Sequence, residues 1–177
     1  MTMNAFEVLG LPQQASLSEE AVRAAYFEKS KSKSADADRS ELNAAFELLL
    51  APDKRLRHLI DLAAPDDAKQ WRTVTMSDDL MSLFMTLGKA RPESEALIEK
   101  RSKAQTALSK ALLEGQTFTL RETLEEIGTA LDAKRTELES SLTTIEGDWQ
   151  ALAAAQARFA YLAKWQAQVR ELLLKLM

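Results

Sequence analysis

Apolar residues recur at intervals of three and four along almost the whole chain. One such stripe runs Leu42, Ala45, Phe46 and Leu49. This spacing places side chains on one face of an α-helix, whereas half-buried strands require strict alternation, and no strand-like run competes with it. The pattern therefore predicts an all-α protein.

The first sixty residues contain helix-capping and helix-ending residues at the spacing typical of several short helices. Gly10 and Pro12 should end a brief first helix, because glycine frees the backbone and proline lacks an N–H. Ser16 and Glu19 have the spacing of a capping box, with Ser18 as the alternative cap. A second helix is expected to begin at one of these serines.

Two prolines divide the next part of the chain. Pro52 should end the third helix and precede a shorter fourth one, and Pro65 lies in a turn-rich stretch. We therefore predict a first domain over residues 1–64, a linker over 65–76 and a second domain over 77–177.

The second domain carries longer helical patterns. We expect Gly88 and Pro92 to break or kink the first of them and Gly115 to end its continuation. Thr119 and Glu122 have capping-box spacing, which predicts that a new helix opens there and runs towards Gly147.

Asp148 should cap the last helix, predicted from Trp149 to about Leu176. At 1.5 Å per residue such a helix is roughly 40 Å long, and it requires packing partners along its length. Long helices joined by short turns predict an antiparallel bundle of three to four helices.

The composition excludes several kinds of chemistry. Since the chain has no cysteine, disulfides, thiolate metal sites and a cysteine nucleophile are excluded. His58 is the only histidine, and no serine or carboxylate accompanies it in a nucleophile–base pattern. We interpret His58 as a partly exposed structural residue and expect no catalytic residue, no metal site, no cofactor and no enzyme activity.

Charge and hydropathy bear on partners and location. The net charge is −4 and the pI is near 5.2, with basic residues scattered along the chain, so nucleic acid is not an expected partner. No run of eighteen apolar residues occurs, and the N-terminus lacks the basic and apolar regions of a signal peptide. We expect a soluble, cytoplasmic protein that does not bind a membrane.

Three segments carry a family resemblance in the first domain: NAFEVLGLP, SLSEEAVRAAYFEK and AAFELLLAPDKR. Their order resembles a J-domain, in which a His-Pro-Asp loop couples the module to ATP hydrolysis by a DnaK/HscA-type chaperone. Counting from Tyr26 places Ser34, Ala35 and Asp36 where that motif would lie. The resemblance implies a helical hairpin with a degenerate loop and with weak or no stimulation of the chaperone.

A basic second helix is the surface through which J-domains meet an acidic chaperone. The corresponding residues here are Arg23, Lys29, Lys31 and Lys33. Electrostatic steering requires only their charge, so docking could persist despite the altered loop. The alternative is a solvated lysine–serine face that serves solubility.

The second domain resembles HscB, the J-type co-chaperone of iron–sulfur cluster assembly. The resemblance rests on SDDLMSLFMTL and on DWQALAAAQARFAYLAKWQAQVRELLLKL. It implies that a client or IscU-like scaffold docks on four residues: Leu80, Met81, Phe84 and Tyr161. Any one of the three in the first segment could instead be bundle core, but the apolar residues there cover more arc than one buried stripe needs.

The leading hypothesis is therefore an HscB-like adaptor that binds a client through its bundle. The alternative is a structural interaction module without a chaperone link, assembled as a homodimer through its last helix. A small hydrolase would need a pocket with perturbed carboxylates. Segment 88–115 is longer than its HscB counterpart, and the extra residues could extend the bundle or add a helix.

Overall fold

The computed structural model describes residues 3–32, 36–66 and 76–177. Within these ranges the chain forms helices and turns and no strand, which confirms the all-α prediction. The described helices are α1 (Ala5–Leu9), α2 (Glu19–Ser32), α3 (Asp36–Leu50), α4 (Pro52–Ala63), α5 (Asp78–Lys103), α6 (Ala107–Ser141) and α7 (Trp149–Leu176).

The helices belong to two compact units. The first unit comprises the described residues within Met1–Val74 together with Glu137–Ala160, and the second comprises those within Thr75–Thr136 together with Tyr161–Met177. Helices α6 and α7 thus contribute residues to both. The predicted boundaries of 1–64 and 77–177 gave residues 137–160 to the second domain, and separate folding of those two domains stays a prediction.

Local capping explains the short first helix. The Asn4 side chain accepts hydrogen bonds from the N–H groups of Phe6 and Glu7 at 3.2 and 3.5 Å. At the other end Gly10 has a φ of 69°, a left-handed conformation that costs glycine little because it has no Cβ. The helix ends at Leu9, as the sequence predicted.

Helices α2 and α4 begin at residues that the sequence identified. The hydroxyl of Ser18 accepts a hydrogen bond from the N–H of Ala21 at 3.1 Å, so the alternative cap, rather than Ser16, starts α2. Pro52 occupies the first turn of α4, where its missing N–H has no helical partner to lose.

One apolar core fills the first unit. Its fully or nearly fully buried members come from α1 to α4, from the loop between α1 and α2, from the turn after α6 and from the start of α7: Ala5, Phe6, Leu9, Ala15, Val22, Leu42, Ala45, Leu49, Leu56, Leu59, Leu142, Leu152, Ala155 and Phe159. Burial of these side chains is the main favourable term in the stability of the unit.

The predicted break in α5 is wrong. The helix runs without interruption from Asp78 to Lys103, with Gly88 and Pro92 inside it. Leu87 and Ala90 are buried before Pro92 and Leu97 is buried after it, so the core-facing stripe keeps its phase across the hydrogen bond that proline cannot make. Tertiary packing thereby offsets the local cost of glycine and proline.

The predicted helix end at Gly115 is also wrong, because α6 continues through it. The turn lies earlier, where the N–H of Ser109 donates to the Thr106 hydroxyl at 3.1 Å and the N–H of Thr106 donates to the Ser109 hydroxyl at 3.2 Å. Thr119, predicted as a cap, instead donates to the carbonyl of Gly115 within the helix. Segment 88–115 forms the end of α5, the turn that follows it and the start of α6.

The turn before α7 follows the prediction more closely. Helix α6 ends at Ser141, before Gly147, which has a φ of 86°. The carboxylate of Asp148 accepts from the N–H of Ala151 at 3.0 Å and caps α7.

The second unit is an up-down-up arrangement of three helical segments. Asp79 near the start of α5 pairs with Lys134 late in α6 at 2.7 Å, so these helices are antiparallel. Asp132 of α6 bonds Gln166 of α7, while Arg101, late in α5, donates to the carbonyl of Leu176 at the end of α7. This is the predicted bundle with three helices.

Candidate partner-binding surface

Helix α5 divides its apolar residues between a core stripe and a surface stripe. The core stripe consists of Leu80, Leu87, Ala90, Ser94 and Leu97. Leu80 is 7% exposed. The structure thus places Leu80, one of the predicted scaffold-binding residues, among the core residues of the second unit.

The surface stripe lies one helical step away. Met81 is 43% exposed, Phe84 49% and Met85 58%. Residues three and four positions apart share a helix face, so these side chains form a continuous strip. Beyond it, Gly88 faces open space, since a Cβ at that position would meet no atom within 4 Å.

Helix α7 adds an aromatic residue to this strip. Tyr161 is 45% exposed, and its ring lies 6.0 Å from the ring of Trp165. The ring of Phe84 lies 5.5 Å from the same indole, at an interplanar angle of 35°. Trp165 itself is only 4% exposed, so the two half-exposed rings pack against a buried indole. We call Met81, Phe84, Met85 and Tyr161 the aromatic–methionine patch.

Both helices that carry the patch, α5 and α7, contact α6. A Cβ on Gly128 of α6 would lie 3.6 Å from Val169 of α7, which shows how closely these helices approach. The Asp79–Lys134 ion pair holds the start of α5 and, by its hydrogen bond and charge, lowers the pKa of the Asp79 carboxyl. The patch therefore rests on well-packed helices.

Three of the four patch residues, Met81, Phe84 and Tyr161, are among the predicted scaffold-binding residues, whereas Met85 and the buried Trp165 were not singled out. The signal for Trp165 was available, because Tyr161 and Trp165 are four residues apart and share a helix face. Which of the two would point inward was not available, since both are large and apolar.

The predicted chaperone-docking residues of α2 are engaged locally. Arg23 pairs with Glu19, and Lys31 pairs with Glu28 at 2.7 Å, each within the same helix. Lys29 lies along the end of α1, where its Cε is 3.3 Å from the position of a Cβ on Gly10. Surface pairs of this kind contribute about 0–1 kcal/mol each, but they offset the positive charge of the helix.

The segment where the sequence resemblance placed the degenerate loop falls largely outside the described residues. Lys33, Ser34 and Ala35 lie outside the described residues. Asp36 begins α3. Nearby, the hydroxyl of Tyr26 donates to the Asn43 side chain at 2.7 Å, which ties α2 to α3.

His58 is buried, which corrects the expectation of partial exposure. Its Nε2 accepts the N–H of Ala5 at 3.1 Å, and its ring stacks on Phe6 at a centroid distance of 5.7 Å. Burial lowers the pKa of His58, with a smaller opposing effect from the charge of Asp61. The neutral imidazole therefore serves as a cap for α1.

The described residues show little that resembles a catalytic or metal-binding site. An open cleft of about 500 Å³ in the first unit includes His58, Asp53 and Asp61 in its lining. The hydrogen bond from Ala5 occupies the Nε2 atom, which argues against a general-base role for His58. Within residues 3–32, 36–66 and 76–177, no group of three or more His, Asp or Glu side chains is arranged to hold a metal ion.

The length and hydropathy of the described helices bear on membrane crossing. None of them combines the length and the apolar character that a bilayer-spanning segment requires.

Comparison with known proteins supports the fold. No family model and no curated protein sequence matches the chain. A solved structure, the chaperone HscB from Vibrio cholerae, superposes with a TM-score of 0.51 and 19% sequence identity, covering 99% of this chain and 100% of the other. The chain therefore has an HscB-like helical fold.

Proposed function

We propose that this protein is a non-enzymatic, HscB-like adaptor that binds a client or an IscU-like scaffold protein of iron–sulfur cluster assembly through the aromatic–methionine patch. The observation that carries the proposal is the exposure of Met81, Phe84 and Tyr161 together on the second unit. These are three of the four positions at which the sequence resembles the scaffold-docking face of HscB. The shared fold supports the same interpretation.

The composition of the patch suits a docking surface. Aromatic residues and methionine are enriched at the centres of protein interfaces, where aromatic anchors supply most of the binding energy. Methionine adapts to the shape of a partner because its side chain is unbranched and polarizable. Trp165 contacts the rings of both Phe84 and Tyr161, which reduces the entropy that these rings lose on binding.

Calorimetric titration with a purified, cluster-free IscU-type scaffold tests the proposal. The double variant Met81→Ala with Phe84→Ala should bind about tenfold or more weakly, because truncation of central apolar anchors typically costs at least that factor. The matched control is Leu108→Ala with Leu112→Ala, which truncates two exposed apolar residues of α6 outside the patch. Equal weakening by both variants, or no binding by the unaltered protein, would overturn the proposal. Leu80 is left unaltered because it is buried.

The effect on the chaperone is a second part of the proposal. We propose weak or no stimulation of a DnaK/HscA-type ATPase, because serine and alanine at positions 34 and 35 supply neither an imidazole nor a fixed proline backbone. The pairing of Arg23 with Glu19 and of Lys31 with Glu28 reduces the attraction to an acidic surface. A several-fold stimulation in a steady-state ATPase assay would refute this part.

The alternative, a structural module that forms a homodimer through α7, predicts a dimeric mass in solution. On α7, Trp165 is already buried within the single chain, whereas Tyr161 and Leu174 are exposed and would have to supply the apolar contacts of such a dimer. Light scattering at micromolar concentration separates the two readings, since the adaptor is expected to be a monomer with an open patch.

A further inference from the structure

Two of the four patch residues carry the side chain most readily oxidised in this chain. Met81 and Met85 are four residues apart on α5, on either side of Phe84, and both are exposed. The chain contains no cysteine, so no thiol of its own competes for an oxidant. An accessible thioether pair therefore lies inside a surface whose proposed role depends on being apolar.

We propose that Met81 and Met85 form a modification site at which reversible oxidation to methionine sulfoxide switches partner binding off. The oxidant is a hydroperoxide such as hydrogen peroxide. The thioether sulfur attacks one peroxide oxygen, an S–O bond forms as the O–O bond breaks, and a proton shift releases water. Sulfur loses two electrons and the peroxide gains them. The step at each methionine requires no other group of the protein.

The physical consequence follows from the location of the sulfur atoms. A sulfoxide is polar and chiral, whereas the thioether it replaces is apolar. Burial of an unpartnered polar group against a docked protein is unfavourable, so each oxidation should weaken binding. Both side chains are exposed in the free protein, so the fold itself should tolerate the change.

The remaining methionines in the described residues provide internal references. Met177 is exposed at the end of the chain, away from the patch sequence, whereas Met3 and Met76 are partly buried. Peptide mass spectrometry of the full-length protein after graded hydrogen peroxide should show an added oxygen on Met81, Met85 and Met177 before Met3 and Met76. Preferential oxidation of Met3 and Met76 over Met81 and Met85 would overturn the proposed site.

This inference rests on the proposed function, and its test separates the two. The oxidised protein should bind the cluster-free IscU-type scaffold about tenfold or more weakly than the untreated protein, because an unpartnered buried polar group costs roughly that factor. Treatment with the two methionine sulfoxide reductases, which act on opposite epimers, should restore binding. Circular dichroism should show an unchanged fold.

Leucine variants supply the matched controls. Met81→Leu with Met85→Leu keeps apolar side chains of similar volume but removes both thioethers from the patch. Its affinity for the scaffold, measured before and after peroxide treatment, should not change. Met177→Leu should remain as sensitive as the unaltered protein.

The outcomes are distinguishable. Untreated protein that binds the scaffold and still binds after Met81 and Met85 are oxidised contradicts the switch alone. Untreated protein that does not bind contradicts the proposed function, and the switch falls with it.

Discussion

Two groups of side chains, one in each unit, differ in burial and in polarity. In the first unit, buried Arg55 donates to the carbonyls of Leu49 and Ala15, and His58 accepts from Ala5. In the second unit, the aromatic–methionine patch is left facing solvent. The contrast is therefore between Arg55 and His58, which are buried and hydrogen-bonded to the backbone, and the patch residues, which are apolar and face solvent.

Polar side chains from distant parts of the chain hold the backbone of the loop between α1 and α2. The Glu146 carboxylate accepts the N–H of Ala15 at 2.9 Å and that of Ser16 at 3.2 Å, while Arg55 binds the carbonyl of Ala15. A buried backbone group that loses such a partner pays its full desolvation cost. The patch has the opposite property, because exposed apolar side chains contribute little to folding and gain stabilisation when a partner covers them. The contacts that stabilise the fold and the proposed binding surface therefore lie in different regions.

The largest expected effect comes from the one patch-supporting residue that is buried. Trp165→Ala should lower the free energy of unfolding by about 3–5 kcal/mol, as for other large core truncations. It should weaken scaffold binding as well, because Phe84 and Tyr161 lose their support. Urea titration followed by circular dichroism measures the first effect. Tyr161→Ala is the control, and an equal loss of stability in it would contradict this division of roles.

Removal of the buried guanidinium tests the first unit. Arg55→Ala should destabilise the protein by about 3 kcal/mol, since each buried carbonyl left without a donor costs roughly 1–3 kcal/mol. The control is Arg57→Ala, which breaks only an exposed pair with Asp61 and should cost about 0–1 kcal/mol. Comparable shifts of the urea midpoint in both variants would show that the buried hydrogen bonds of Arg55 do not contribute more to stability than an exposed ion pair.

The pH dependence of stability gives a smaller effect. Because the pKa of His58 is lowered in the fold, the native state holds fewer protons than the unfolded state just below the ordinary value of 6.5. The contribution of His58 is fully present above about pH 6.5 and is lost as the pH falls through the lowered pKa. Urea midpoints measured between pH 7.5 and 5.5 should decline in the unaltered protein and decline less in His58→Gln.

The smallest effect on stability is expected for the patch. Met81→Ala with Phe84→Ala should change the free energy of unfolding by about 1 kcal/mol or less, in line with other surface substitutions. The same variant is the one expected to lose scaffold binding most clearly. A loss of several kcal/mol in urea titration would identify the patch as part of the core and would remove the contrast between the units.

Local signals in the sequence predicted the features that local interactions determine. Ser18 and Asp148 cap helices and Pro52 lies in a first turn, each near a predicted helix boundary. A cap or a first-turn proline depends only on neighbours within a few residues. Gly88, Pro92 and Gly115 misled the prediction for the opposite reason. Their local penalty is real, but the packing of the surrounding stripes outweighs it.

Long-range polar contacts left no readable signal. Glu146 and Ala15 are 131 positions apart, and nothing in either neighbourhood indicates their hydrogen bond. Arg55 belongs to a residue type that is rarely buried, so composition favoured a surface position. In α5, periodicity showed more apolar residues than one buried stripe needs but could not assign Leu80 to the core and Met85 to the surface, because that choice depends on the rotation of α5 against its neighbours.

The most direct test of the central claim is to observe the patch while a partner binds. The chain has six methionines, so a sample labelled with ¹³C at the methionine methyl groups gives a small set of assignable signals. On addition of unlabelled, cluster-free IscU-type scaffold, the signals of Met81 and Met85 should shift or broaden, while those of Met3 and Met76 stay in place. Scaffold binding that leaves the Met81 and Met85 signals unperturbed would contradict the account.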